Sequence, residues 1–284
     1  MRYAICNETF QDRSLTAGFE SAAGIGYEGI EIAPFTLGGP VDGPIAHCAD
    51  VTTIPAERRT AIAQAAAAAG LDVVGLHWLF AGTEGFHLTS PDSAVRERTA
   101  GYLEALAELC ADLGGSVLVL GSPQQRRLLG GVDLATANDY AIEVLGRAMP
   151  RFEKLGLTLA LEPLGPEEVD FMNTADDAAR LIERLGSDAC RLHLDMKAMS
   201  TEATPVDAII GRHIGVAAHV HANDPNRLGP GMGDFDFAAA LASLSSAGYD
   251  GWVSVEVFRY EPSPDEIATV SLRNLREATT AGIL

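Results

Sequence analysis

The sequence predicts an α/β fold of the (β/α)8 TIM barrel type, because short apolar segments alternate eight times with longer amphipathic stretches. The apolar segments have the length of buried strands and cover residues 3–6, 29–32, 72–77, 116–120, 157–162, 191–195, 216–221 and 252–257. Helices are expected near residues 13–24, 57–69, 92–113, 138–155, 175–185, 204–212, 235–247 and 263–281. A doubly wound open sheet is the alternative that the same alternation allows.

Several predicted helices have residues that typically begin or end a helix. Thr174 precedes the acidic start of the helix near 175–185 and is predicted to cap its first turn. Pro91 stands where a first-turn N–H is not needed. Glycines stand where four helices are expected to end, at Gly70, Gly114, Gly156 and Gly186. The pattern therefore predicts where helices end as well as where they lie.

Length and composition fit one barrel domain over residues 1–284. A chain of 284 residues with 47% apolar and 21% charged side chains can bury a full-sized core. No apolar segment reaches the roughly 20 residues of a membrane span, and the first residues lack the pattern of a secretory signal. We therefore expect a soluble, cytoplasmic protein. The four cysteines form no CxxC pair, so we expect reduced thiols and neither disulfides nor a cysteine zinc site.

The charge of the chain narrows the range of partners. Asp and Glu number 39 against 20 Lys and Arg, which gives a formal net charge of −19. Binding to nucleic acid or to an anionic membrane needs a concentrated positive surface, so neither is expected as a main function. A small-molecule substrate is the expected partner.

Four consecutive predicted strands end on side chains that can bind a metal. These side chains are Glu162, Asp195, His221 and Glu256. Barrel active sites lie at the carboxyl ends of the strands, where such carboxylates would repel one another unless a cation lay among them. Three carboxylates and one imidazole form an oxygen-rich site that suits Mn²⁺ or Mg²⁺, with Co²⁺ and Zn²⁺ as alternatives. His193 and His219 lie two positions before Asp195 and His221 on the same strands. They are predicted either to orient these ligands or to form a polar layer in the barrel interior.

The order of these four residues, with gaps of 33, 26 and 35 positions, resembles the xylose-isomerase-like barrel superfamily, and most closely its D-tagatose/D-psicose 3-epimerase branch. The resemblance implies one divalent metal, with Mn²⁺ as the first expectation, and implies that Glu162 and Glu256 act as acid and base on opposite faces of the substrate. It also implies that Glu168 and Arg227 contact substrate oxygens. A homodimer or homotetramer is expected on the same ground.

One position departs from that family pattern, since Ala198 stands where these epimerases and the related endonucleases carry a histidine. The departure removes a ligand of the nuclease metal cluster, and for an epimerase it removes only a substrate contact. Around the site, His77 is predicted to meet a substrate hydroxyl, and Glu31 is expected to be a pocket carboxylate or a member of an ion pair at the barrel rim. Trp78 and Phe80 are predicted either to form an apolar wall for a sugar face or to pack within their loop.

The function predicted from these residues is a metal-dependent sugar epimerase or isomerase. It would remove the proton next to the carbonyl of a ketose or related carbohydrate, through a metal-stabilised enediolate. A lyase of the inosose-dehydratase type would use the same metal site and is the alternative. A non-catalytic binding barrel is a further alternative.

Overall fold

The structure, a computed structural model, describes residues 1–281, and its eight strands close into a parallel barrel in which each strand pairs with the next and β8 pairs with β1. The strands are β1 (Arg2–Cys6), β2 (Gly29–Ile32), β3 (Asp72–Leu76), β4 (Val117–Leu120), β5 (Thr158–Leu161), β6 (Cys190–Asp195), β7 (Ala217–Ala222) and β8 (Trp252–Val255). The barrel prediction is therefore confirmed and the open sheet is wrong. Every predicted strand is present within two residues of its predicted ends.

The helices follow the strands in the predicted order. They are α1 (Leu15–Ile25), α2 (Ala56–Ala69), α3 (Ser93–Leu113), α4 (Leu134–Leu155), α5 (Ala175–Leu185), α6 (Met196–Met199), α7 (Val206–His213), α8 (Phe237–Ser246) and α9 (Pro264–Ala281). Helix α4 begins four residues before the prediction, because Asp133 caps it by accepting a hydrogen bond from the Thr136 amide at 2.8 Å. The short α6 was not predicted, since four residues show no helical periodicity.

The predicted cap of α5 is confirmed and has a second half. The Thr174 hydroxyl accepts a hydrogen bond from the Asp177 amide at 3.1 Å, and the Asp177 carboxylate accepts one from the Thr174 amide at 3.0 Å. This reciprocal arrangement satisfies two backbone N–H groups that would otherwise lack partners.

Close pairing of β3 with β4 depends on a glycine. Gly75 lies opposite Val117 in the parallel register. A Cβ at Gly75 would lie 1.8 Å from the carbonyl oxygen of Val117, so no larger residue fits without moving the backbone. The glycine therefore allows this pair of strands to complete the barrel.

The main apolar core lies between the strands and the surrounding helices. A smaller buried cluster of Ala4, Val74, Val117 and Ala160, with Trp252 packed against it, is separate from that core. Several buried charged side chains, among them Glu162, Asp195 and Glu256, lie where the strands end. The four cysteines are free, and all four are buried. Within residues 1–281, no helix has both the length and the apolar character that a bilayer crossing requires.

Candidate metal and substrate site

The four predicted ligand residues lie at the carboxyl ends of neighbouring strands. Asp195 is the last residue of β6 and His221 is the last but one of β7, while Glu162 and Glu256 directly follow β5 and β8. All four side chains are buried, with residue exposures of 6% for Glu162, 2% for Asp195 and Glu256, and 0% for His221. Burial of three carboxylates in one region needs compensation by cations or by N–H donors.

Three of the four residues approach one another together with a fourth that was not predicted as a ligand. One ligand atom from each of Glu162, His193, Asp195 and His221 lies within 4.8 Å of the others. Glu256 is outside this set, but its Oε2 is 3.3 Å from Nδ1 of His221. His193 thus lies among the candidate ligands.

Asn223 links the two sides of the cluster. Its side-chain amide donates to Asp195 Oδ2 at 2.5 Å and to Glu256 Oε2 at 3.3 Å. The other oxygen of Asp195 accepts a hydrogen bond from the Ala198 amide at 2.6 Å, which caps α6. The carboxylates of Asp195 and Glu256 are therefore held in defined orientations by the chain itself.

The electrostatics of the cluster differ from one carboxylate to the next. Burial, and then the negative charges of Glu256 and Asp195, raise the pKa of Glu162 well above its usual range. Burial also raises the pKa of Asp195. Burial opposes ionisation of Glu256 too, but the His221 imidazole beside it prevails and lowers the pKa of that carboxyl.

Beneath the cluster, Glu31 accepts hydrogen bonds from two imidazoles. Nε2 of His219 donates to one carboxylate oxygen at 2.7 Å and Nε2 of His221 donates to the other at 3.1 Å. Glu31 is fully buried, so it acts on the site through these histidines. Because Nε2 of His221 is engaged below, Nδ1 is the nitrogen that faces Glu256 and the candidate ligands.

The donor set fits a divalent cation. It combines carboxylate oxygens with imidazole nitrogens, the ligands that first-row divalent metals accept. In the described part of the chain, neither ring nitrogen of His193 has a hydrogen-bond partner, although the side chain is fully buried. Such unpartnered buried nitrogens beside mutually repelling carboxylates are what a cation would satisfy. Glu162, Asp195 and His221 would hold it, with Glu256 and His193 within reach.

A cavity of about 340 Å³ opens above the cluster, and both Glu162 and Glu256 line it. Trp78, Phe80 and Phe258 form an apolar wall, as predicted for the first two. Polar side chains of Ser122, Gln124, Gln125 and Glu168 also line the cavity, together with Ala81, Gly82, Pro123 and Leu164. A cavity of this size with convergent polar groups is typical of a small-molecule site.

The model of the xylose isomerase-like TIM barrel family matches residues 19–278. This chain belongs to that family. An L-ribulose 3-epimerase from Mesorhizobium japonicum is 30% identical over 196 residues, which span 66% of this chain and 64% of the relative. The match therefore covers slightly less than two thirds of that relative's length.

Solved structures with the same fold superpose over nearly the whole chain. A structure of an L-ribulose 3-epimerase has a TM-score of 0.82 and 22% identity, covering 99% of this chain and 95% of its own. A 3-keto-D-glucoside 4-epimerase from E. coli also has a TM-score of 0.82 and 22% identity, covering 98% of this chain and 99% of its own. At this level of identity the likeness establishes the fold.

The structure brings only one of the three predicted substrate contacts into the cavity. Glu168 lines it and is held by Lys197, whose Nζ donates to Oε1 at 2.8 Å. His77 is fully buried and pairs with Glu8 at 2.8 Å, because that buried carboxylate needs an N–H donor. Arg227 is exposed, since a tight turn in which its amide bonds to the Asp224 carbonyl directs the chain outward. Neither His77 nor Arg227 lines the cavity.

Sequence reasoning missed several residues that shape the site. Lys197 and Asn223 each follow a predicted ligand by two positions, so their place beside a strand end was a usable signal. Arg126 had no such signal: it is buried in the loop after β4, and its Nη1 donates to the backbone carbonyl of Glu162 at 2.7 Å. The hydrogen bond of Trp78 to Glu256 joins residues 178 positions apart and was equally hidden.

Proposed function

We propose that this protein is a divalent-metal-dependent sugar epimerase or isomerase that removes the proton next to the carbonyl of a ketose. The observation that carries the proposal is the pair of buried carboxylates, Glu162 and Glu256, which line one cavity beside Asp195 and His221. The similarity to an L-ribulose 3-epimerase supports the same chemistry.

Glu162, Asp195, His221 and Glu256 would hold one divalent cation, with Mn²⁺ expected first and Mg²⁺, Co²⁺ or Zn²⁺ as alternatives. His193 would be a further ligand or a close neighbour. When bound, the cation would polarise the substrate carbonyl and stabilise the enediolate that forms on loss of the α-proton.

The pKa values of the two glutamates are shifted in opposite directions, which suits a base and an acid. Glu256, whose pKa the neighbouring His221 lowers against the effect of burial, is ionised and takes the α-proton. Burial and its anionic neighbours raise the pKa of Glu162 in the cation-free protein, so of the two carboxyls it accepts a proton more readily, and we assign to it the return of the proton to the substrate. Carboxyl pairs whose pKa values are driven apart are typical of acid–base catalysis.

The place where the proton returns decides the product. Return to the opposite face of the same carbon gives an epimer, and return to the adjacent carbon gives an isomer. The aromatic wall excludes water from one side, and Glu168 has a buried Oε2 without a partner in the described residues, so it can accept a hydrogen bond from a sugar hydroxyl.

Proton exchange in D₂O tests the proposal. The Mn²⁺-loaded protein is incubated with L-ribulose, D-psicose, D-tagatose and inososes, and we expect deuterium at an α-carbon of at least one ketose together with its epimer or isomer. Glu162→Gln and Glu256→Gln should each abolish exchange, because general acid–base catalysis contributes about 10²–10⁴-fold. Glu97→Gln is the matched control, since Glu97 is exposed on α3.

Other outcomes of this experiment separate the alternatives. An ultraviolet-absorbing product formed from an inosose would identify a lyase. A protein that binds Mn²⁺ but exchanges no proton in any of these compounds would contradict the proposal. The homodimer or homotetramer stays a prediction that light scattering can check.

A further inference from the structure

Trp78 has a backbone conformation that large residues rarely adopt. It follows β3 in the loop that lines the cavity, and its φ is 50°. A bulky side chain in this left-handed region persists only where the surroundings force it, and such residues concentrate at functional sites. The loop therefore holds this indole in a particular place at an energetic cost.

The indole N–H is directed at a predicted catalytic carboxylate. Nε1 of Trp78 donates to Oε1 of Glu256 at 2.6 Å. This is short for an N–H···O hydrogen bond, as expected when the acceptor is ionised. Oε2 of the same carboxylate lies 3.3 Å from Nδ1 of His221 and 3.3 Å from the Asn223 amide nitrogen. The bond to Trp78 thus fixes which oxygen of Glu256 faces the candidate ligands.

Two aromatic rings fix the plane of the indole. Phe35, in the loop after β2, stacks on it at a centroid distance of 5.7 Å and an angle of 30°. Phe258, in the loop after β8, stacks at 5.8 Å and 21°. Offset stacks of this kind restrain ring rotation, so the direction of the N–H is set before a substrate arrives.

We propose that Trp78 is a positioning residue for Glu256. Its indole N–H holds Oε1, so that Oε2 faces Asn223, His221 and the other candidate ligands, where it would bind the cation. The inference rests on the proposed function for its catalytic meaning, but the hydrogen bond and its effect on metal binding can be measured without any substrate. A residue that only formed an apolar wall would need its ring and not its N–H.

Indole NMR tests the hydrogen bond directly. The chain has two tryptophans, so a ¹⁵N-labelled sample gives two indole N–H resonances, and Trp252→Phe assigns them. Trp252 begins β8 and lies under the Arg2 guanidinium, away from the cavity. In Glu256→Gln, which replaces an ionised acceptor by a neutral one, the Trp78 resonance should shift upfield and the Trp252 resonance should stay in place.

Trp78→Phe tests the consequence, because it keeps a stacking ring and removes the donor. We expect Mn²⁺ affinity to fall roughly 10-fold or more, as for other groups that orient metal ligands. In an active enzyme kcat should fall roughly 10–100-fold while KM changes less than about 3-fold, because the loss lies in the placement of Glu256. Trp252→Phe is the matched control and should leave both quantities near wild type.

These experiments distinguish failure of the positioning role of Trp78 from failure of the proposed function. An unmoved Trp78 resonance in Glu256→Gln, or wild-type Mn²⁺ affinity in a folded Trp78→Phe protein, would overturn the positioning role. A shifted resonance with weakened Mn²⁺ binding, in a protein that acts on no sugar, would support the positioning role and contradict the proposed function.

Discussion

At the scale of single residues, burial and neighbouring charges favour protonation of side chains that would also bind the cation. Burial and neighbouring anions raise the pKa of Glu162. Burial opposes protonation of His221, but Glu31 and Glu256 prevail and raise its pKa well above the usual range. In the cation-free protein, both groups therefore bind protons more readily than in free solution, and ligands must lose protons to bind a metal.

Metal binding should accordingly release protons and strengthen with pH. Because both pKa values are raised, affinity should weaken as the pH falls below them and increase as the pH rises through them. Calorimetric titration with Mn²⁺ at about pH 6 and about pH 8, in two buffers of different ionisation enthalpy, measures this release. An observed enthalpy that is the same in both buffers would contradict it, and Glu162→Gln should reduce the number of protons released.

The sequence was most informative where a side chain that can bind a metal stood at the end of an apolar strand. Glu162, Asp195, His221 and Glu256 were predictable because an apolar strand led directly to each, and the barrel brings strand ends together. The partners that orient them were not predictable. Contacts such as Trp78 to Glu256 or His221 to Glu31 depend on rotamers and register, which local patterns do not specify.

At the scale of elements, strands and long helices were predictable because periodicity and end residues agree. The short α6 was missed, although it matters to the site: its first turn is capped by Asp195, a predicted ligand. The start of α4 was placed too late because Leu134 is 54% exposed and adds nothing to an apolar face. Hydrophobic periodicity does not predict a helix of a single turn, and it does not predict a helix start that depends on a capping residue.

The pairing of β3 with β4 gives an element-scale prediction. Gly75→Ala should lower the free energy of unfolding by at least about 2 kcal/mol, because the added methyl group meets the Val117 backbone and the strands must separate. Urea unfolding measures the change. Gly101→Ala is the matched control: this exposed glycine in α3 has nothing within 4 Å of an added Cβ, so the substitution should stabilise by about 0.5–1 kcal/mol. Equal effects of the two substitutions would contradict the account.

At the scale of the whole molecule, the fold was predictable from alternation alone, while the fold does not decide the function. The function was predicted from the net charge of −19 and from the carboxylates at the strand ends. Burial of the cysteines is also a property of the whole core. Burial raises the pKa of Cys190 from its ordinary value of 9.0 to about 12, and it raises the pKa of the other three thiols as well.

Stability should therefore decline in alkali. The folded protein keeps these thiols protonated while the unfolded chain ionises them, so their contribution is complete below about pH 9 and is lost as the pH rises toward 12. Between about pH 8 and about pH 10, the free energy of unfolding measured in urea should fall by about 1 kcal/mol less in Cys190→Ala than in the wild type. A decline as steep in the variant as in the wild type would contradict this prediction.

One divalent cation is expected among the ends of β5 to β8. An anomalous difference map from crystals grown with Mn²⁺ tests it most directly. We expect one strong peak within about 2.0–2.3 Å of carboxylate oxygens of Glu162, Asp195 and Glu256 and of Nδ1 of His221. A peak at the buried group of Cys6, Glu8 and His77 instead, or no peak at saturating Mn²⁺, would contradict the claim.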